Sequence, residues 1–192
     1  AGVQNLVVNL HHKADHITDH LAQRAQQSKI AFSDERAALL ETGGGVKNAL
    51  SLLGADPFFV CNADILWQEN TDTLSALARY FDPQRMDVLL MLAPRTACSG
   101  YDGAGDFDIQ PDATLTRRAG ATAPYVFCGV QVLCPGCFDR TPTGAFSLNL
   151  IYDQAAAAGR LYGLVLDGTW MHVGTPEGRA AAENILASNQ SS

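Results

Sequence analysis

Apolar positions along this chain recur with two periods, and the two alternate. Residues 4–10 (QNLVVNL) read as a strand, residues 13–27 carry Ala14, Ile17, Leu21 and Ala25 at helical spacing, and residues 29–32 (KIAF) read as a short strand again. The glycine-rich stretch ETGGGVKNAL at 41–50 leads into a helix through Leu53. PFFVC at 57–61 is too short for a helix and suits a strand buried on both faces. Residues 71–81 predict a helix capped by Asn70 or Thr71, and MDVLLML at 86–92 predicts a strand. Turn residues dominate 94–105, and the short pieces at 106–110, 114–118 and 125–133 read as antiparallel excursions added to the sheet. A helix over 147–158, a strand over 161–166 and a helix over 176–187, with Thr175 as cap and Pro176 at its first position, complete the pattern. Strand and helix alternate as in α/β proteins with a mixed, mostly parallel sheet. With 192 residues and no internal repeat or linker, one domain over 1–192 is expected.

Charge and composition narrow the partners. The formal net charge is −7, and among the basic residues Arg117 and Arg118 alone are adjacent, so no nucleic-acid partner is expected. No apolar run approaches the ~20 residues that span a bilayer, and no charged segment followed by an apolar one opens the chain, so no membrane partner is expected. Five cysteines are present. The closest group, Cys128, Cys134 and Cys137, lies among apolar residues and reads as small hydrophobes, which predicts a reducing, cytoplasmic setting.

Four stretches could carry chemistry. A Walker loop needs Ser or Thr after its GK, whereas Gly45 is followed by Val46, Lys47 and Asn48, and no fourth glycine completes a dinucleotide fingerprint. The three glycines then mark either a helix mouth facing a ligand or a tight turn, and Lys47, one turn inside the helix, reads as a surface residue. Asp64 follows the strand at 57–61, at the carboxyl end where open α/β sheets bind ligands. It suits a hard cation, or else a turn. His172, between Met171 and Val173, points away from both and reads as a structural histidine or a ligand. His12, His16 and His20, mixed with Asp15 and Asp19, read as a solvated face rather than a transition-metal ladder.

Taken together, LETGGGVKNAL, FFVCNADIL, GAGDF, YVFCGVQVL, GAFSLN and WMHVGTPE, in that order, resemble the sugar-1-phosphate nucleotidyltransferases, within them the N-acetylmuramate-1-phosphate uridylyltransferase and mannose-1-phosphate guanylyltransferase types. The resemblance implies a Rossmann-like, three-layer nucleotide-diphospho-sugar transferase fold. It also implies a reaction in which a sugar 1-phosphate attacks the α-phosphorus of UTP or GTP and pyrophosphate leaves. By motif, Glu41, Thr42, Gly43, Gly44 and Gly45 would meet the nucleotide, Asn62, Asp106 and Asn149 the sugar phosphate, and Asp64 would hold Mg2+. His172 stands where the family commonly has a second metal-binding aspartate, a change that favours Mn2+, cobalt or zinc relative to Mg2+. The family's GxGxR stretch and the proline-lysine after it are not among the residues from Ala1 onward, so the resemblance implies a longer natural chain whose first strand precedes Ala1. A binding or regulatory module that keeps the fold without turnover is the alternative.

Overall fold

The computed structural model describes residues 2–24 and 29–189. The helical continuation expected over residues 25–27 lies outside the described residues. Two compact units form, Ala1–Phe58 with Cys134–Gln154, and Phe59–Leu133 with Ala155–Ser192. No described helix is long and apolar enough to cross a membrane.

In the first unit β1 (Asn5–Leu10) and β2 (Lys29–Asp34) pair in parallel, from Asn5 opposite Lys29 to Leu10 opposite Asp34. Parallel neighbours need a crossover, which α1 (Ala14–Arg24) supplies. Ala14 is buried on it while His12, His16 and His20 are exposed, as a solvated face requires. Next comes α2 (Glu41–Leu53), which contains the three glycines instead of following them. Its first amides are satisfied from outside: Gly43 and Gly44 N–H both donate to Phe146 O, at 2.8 and 3.1 Å, and Phe146 N–H returns a bond to Leu40 O at 3.2 Å. A Cβ on Gly44 would stand 2.3 Å from Gly144 O, and one on Gly43 would stand 2.4 Å from the Phe146 ring. Glycine is therefore what lets the 144–146 segment lie against the helix as a strap. Lys47 is not the surface residue its position suggests. It is half-buried, and its ammonium donates to the carbonyls of Thr141, Pro142 and Phe138 at 2.8, 3.2 and 3.3 Å.

The remaining elements are β3 (Phe58–Cys61), β4 (Ile65–Glu69), α3 (Thr73–Tyr80), β5 (Val88–Pro94), β6 (Cys98–Ser99), β7 (Phe107–Ile109), β8 (Leu115–Arg117), β9 (Tyr125–Leu133), α4 (Asn149–Ala157), β10 (Leu161–Val165), β11 (Gly168–His172) and α5 (Pro176–Asn189). The larger sheet runs β10-β5-β9-β7-β8, with β3 also paired to β9. It is mixed: β5 lies parallel to β10 and antiparallel to β9, and β7 is antiparallel to β8 and β9. Val88–Leu92 have no exposed surface, as expected of a central strand whose apolar run is continuous rather than alternating. One face of β5 and β9 packs Leu89, Met91, Val126, Cys128 and Val130 with Leu77 of α3 and Trp170 of β11.

A smaller sheet, β4-β11-β6, was not foreseen from the residue pattern. Its strands are short and mix charged, aromatic and apolar residues without alternation, so the periodicity that reveals β9 is missing. Helix α3 is capped by Asp72, not Asn70 or Thr71: Asp72 Oδ1 accepts from Ser75 N–H at 3.0 Å and Oδ2 from the Ser75 hydroxyl at 2.6 Å. The hydroxyl bond first, and the amide bond second, hold the Asp72 carboxyl below the usual carboxylate range.

Candidate active site

Strands β4 and β11 set the geometry of the site. They pair antiparallel with His172 opposite Ile65, and Val173 N–H donates to Asp64 O at 2.9 Å just beyond the last register pair. Two side chains 108 residues apart in sequence are thereby juxtaposed, with His172 Nε2 3.3 Å from Asp64 Oδ2. The Asp64 side chain is half exposed, at 52%, and that of His172 is 34% exposed, so both can reach a solvent-borne ligand. Trp170, two residues back on β11, is buried, donates from Nε1 to Cys128 O at 2.9 Å and lies 6.2 Å from the His172 ring, which fixes the strand against the larger sheet.

Beside this pair, β9 gives one edge to two neighbours. Near Tyr125 the edge is taken by β7, and at Gly129 O by Asn62 N–H at 2.8 Å. Between these anchor points opens a cavity of about 320 Å³ whose walls include Asn62, Asp64, Asp106 and His172. Asp106 is held rigidly, its Oδ2 accepting from Phe127 N–H at 2.9 Å. Gly129 has φ +78°, and a Cβ there would come within 3.0 Å of Asn62 Cβ, so glycine at this position seats the Asn62 side chain. Four of the residues singled out by sequence thus share one cavity.

Tyr101 and Asp102 line the same cavity and were not anticipated. They lie in a turn-rich run with no periodicity to mark them. Tyr101 nevertheless packs its ring edge on Trp170 at 6.1 Å, and its hydroxyl accepts from Gly105 N–H at 3.0 Å.

The other candidates belong to the first unit. Glu41 and Thr42 are exposed, whereas Gly43, Gly44 and Gly45 are buried and two of their amides are already bonded to Phe146 O. Thr42 Oγ1 accepts from Leu148 N–H at 3.0 Å, which seats the start of α4 and its exposed first residue, Asn149, beside the opening of α2. Glu41 has φ +58°, a left-handed conformation at a non-glycine residue.

As a metal site, Asp64 and His172 offer one carboxylate oxygen and one imidazole nitrogen. No group of three or more His, Cys, Asp or Glu placed to hold an ion occurs among the described residues. Two protein donors suit a divalent cation that completes its shell with phosphate oxygens and water, and the imidazole nitrogen among them fits Mn2+ better than Mg2+. A closed structural zinc site would need four donors.

No family model matches the chain. It is 43% identical over 192 aligned residues, 97% of this chain and 79% of the relative, to the N-acetylmuramate alpha-1-phosphate uridylyltransferase of Caulobacter vibrioides. The chain belongs to the sugar-1-phosphate nucleotidyltransferases. A second member, the N-acetylmuramate alpha-1-phosphate uridylyltransferase of Neisseria meningitidis, is 30% identical over 91% of this chain and 75% of its own length. Among solved structures, HddC from Yersinia pseudotuberculosis complexed with GMP-PN superposes with a TM-score of 0.74 at 24% identity, covering 94% of this chain and 78% of that one. The fold is accordingly the Rossmann-like nucleotide-diphospho-sugar transferase fold. In this family the juxtaposition of Asp64 with His172 is a geometric result that motif order alone does not give.

Proposed function

We propose that this protein transfers a nucleoside monophosphate from UTP or GTP to a sugar 1-phosphate, giving a nucleotide sugar and pyrophosphate. The names of the two bacterial relatives favour UTP with N-acetylmuramate α-1-phosphate. The observation that carries the reading is the Asp64–His172 pair at a cavity shared with Asn62 and Asp106. The cavity, of about 320 Å³, lies at the small end of ligand sites and suits a sugar phosphate rather than a whole nucleotide.

In this reading Asn62 and Asp106 orient the sugar phosphate so that its oxygen approaches the α-phosphorus in line. Glu41 and Thr42 present exposed groups to the nucleotide, while the buried Gly43 and Gly44 act by admitting the strap that shapes this end of α2, and Gly45 by admitting the Glu35 and Asn9 side chains. Asp64 and His172 would hold Mg2+ or Mn2+. A cation held there would supply neutralisation of phosphate charge. With none of the five cysteines in a disulfide, a reducing, cytoplasmic setting is the one we assign.

The test is a pyrophosphate-release screen of the four ribonucleoside triphosphates against N-acetylmuramate α-1-phosphate, mannose 1-phosphate and glucose 1-phosphate, with Mg2+ or Mn2+, on the full-length protein. Turnover with UTP or GTP is expected, reduced at least about 100-fold in kcat by Asp64→Asn, as losses of transition-state charge stabilisation run. His172→Asp should raise the rate with Mg2+ relative to Mn2+. Binding of a nucleotide sugar with no turnover of any pair would instead identify a silent binding module, the alternative drawn from the sequence.

A further inference from the structure

Residues 134–137 read CPGC, and their local geometry gives these two cysteines more than the role of small hydrophobes. Cys134 immediately precedes a 3₁₀ turn, Pro135–Phe138, and Cys137 N–H donates to Cys134 O at 3.1 Å. A turn closed by this bond keeps the first and fourth Cα atoms within about 7 Å, close to the span a disulfide bridges. Pro135 occupies the first position of the turn, where its fixed φ stiffens it. Gly136 is exposed and both cysteines are half-buried, so the turn is open to a small reagent on one side.

The turn is also anchored immediately downstream. Phe138 is buried and stacks on Phe58 with ring centroids 6.4 Å apart, and Lys47 holds Phe138 O at 3.3 Å. Reaction at the two sulfurs therefore starts from a preset separation rather than from a loose loop. The remaining cysteines lack this arrangement. Cys128 is fully buried and Cys98 half-buried; burial pushes both thiols up, that of Cys98 to about 11, while Cys61 has no cysteine near it in sequence.

We propose that Cys134 and Cys137 form a vicinal dithiol that a hydroperoxide converts reversibly to an intramolecular disulfide. One thiolate attacks the peroxide oxygen, the O–O bond breaks, and a sulfenic acid forms with loss of water or alcohol. The second thiolate attacks that sulfur, the S–S bond forms, and the oxygen leaves as water. The pair gives up two electrons and two protons, and a small dithiol returns them by thiol–disulfide exchange. This inference is independent of the nucleotidyl-transfer reading.

The native full-length chain is treated with hydrogen peroxide at one equivalent, then denatured, alkylated with iodoacetamide and mapped by mass spectrometry. The expected product is unalkylated at Cys134 and Cys137, with the peptide that carries both lighter by two hydrogens, while Cys61, Cys98 and Cys128 are alkylated. Dithiothreitol should restore alkylation at Cys134 and Cys137. Independently, phenylarsine oxide should bind the reduced chain at one per chain. Cys134→Ser or Cys137→Ser should abolish that binding while leaving the melting temperature near wild type, and Cys61→Ser should not alter it. A stable sulfenic or sulfinic acid at either position without ring closure, a disulfide involving Cys61, or arsenical binding that survives Cys134→Ser would overturn the proposal.

Discussion

Replacing Gln131 by Met should stabilise the protein. Gln131 sits on β9 with no exposed surface, opposite Leu90 of β5 and flanked by Val130 and Val132. Neither its Nε2 nor its Oε1 has a hydrogen-bond partner among the described residues. A buried polar group left unpaired costs about 1–3 kcal/mol, and Met has nearly the same length and volume without an amide to desolvate. Discounting for imperfect packing of the thioether, the expected gain is about 2 kcal/mol. For a chain of this size that corresponds to a rise in Tm of about 4–8 °C. Scanning calorimetry reads the shift, and urea unfolding should show a higher midpoint with an unchanged m-value, the mark of a change in stability rather than of mechanism. A lower Tm for Gln131→Met would refute the reasoning, since it would mean that the amide is hydrogen-bonded in solution and contributes to the core.

Other expectations follow from the first unit and from the cap of α3. Lys47→Met removes a charged donor from three carbonyls and should cost about 2 kcal/mol, read by urea unfolding, with faster proteolytic cleavage within residues 138–144. Gly44→Ala places a methyl 2.3 Å from Gly144 O and should destabilise by about 1–3 kcal/mol in the same assay, while Ala at the open Gly54 side of the helix meets no atom and suffers from its positive φ alone. Asp72 has a folded pKa below its unfolded value near 3.9, so its contribution is present above about pH 4 and is lost as pH falls through the depressed value. The Tm gap between wild type and Asp72→Ala should therefore narrow on acidification from pH 6 to pH 3; a constant gap would show that the carboxylate is not the origin of the cap's effect.

Strand β9 was legible because all of its nine residues but Gln131 are apolar or aromatic and meet a clear boundary at each end, and the structure returns the same Tyr125–Leu133. The cap at Thr175 was legible for a similar local reason, and Gly178 N–H donates to Thr175 Oγ1 at 3.0 Å. Helix α2 was misjudged at its start because its first turn has no side-chain cap, and the acceptor that satisfies it, Phe146 O, lies about a hundred residues downstream. Lys47 was misjudged for the same reason, since a remote segment of carbonyls has no trace in the local pattern. At the site, motif order pointed to Asn62, Asp64, Asp106 and His172, but no spacing rule could bring Asp64 to His172. Their meeting depends on β4 and β11, two strands whose short mixed sequences resemble loop.

The ladder between β4 and β11 acts as a gauge. Because Asp64 immediately precedes β4 and His172 is the last residue of β11, the distance between them is set by strand register and is insulated from the length of chain that separates them. The number of residues between the two strands does not set the spacing of the two donors; the ladder does. A slip of one position within β11, by contrast, turns His172 to the opposite face of the sheet. Variation in this family can therefore accumulate in the long connections, while the two five-residue strands are confined to one alignment.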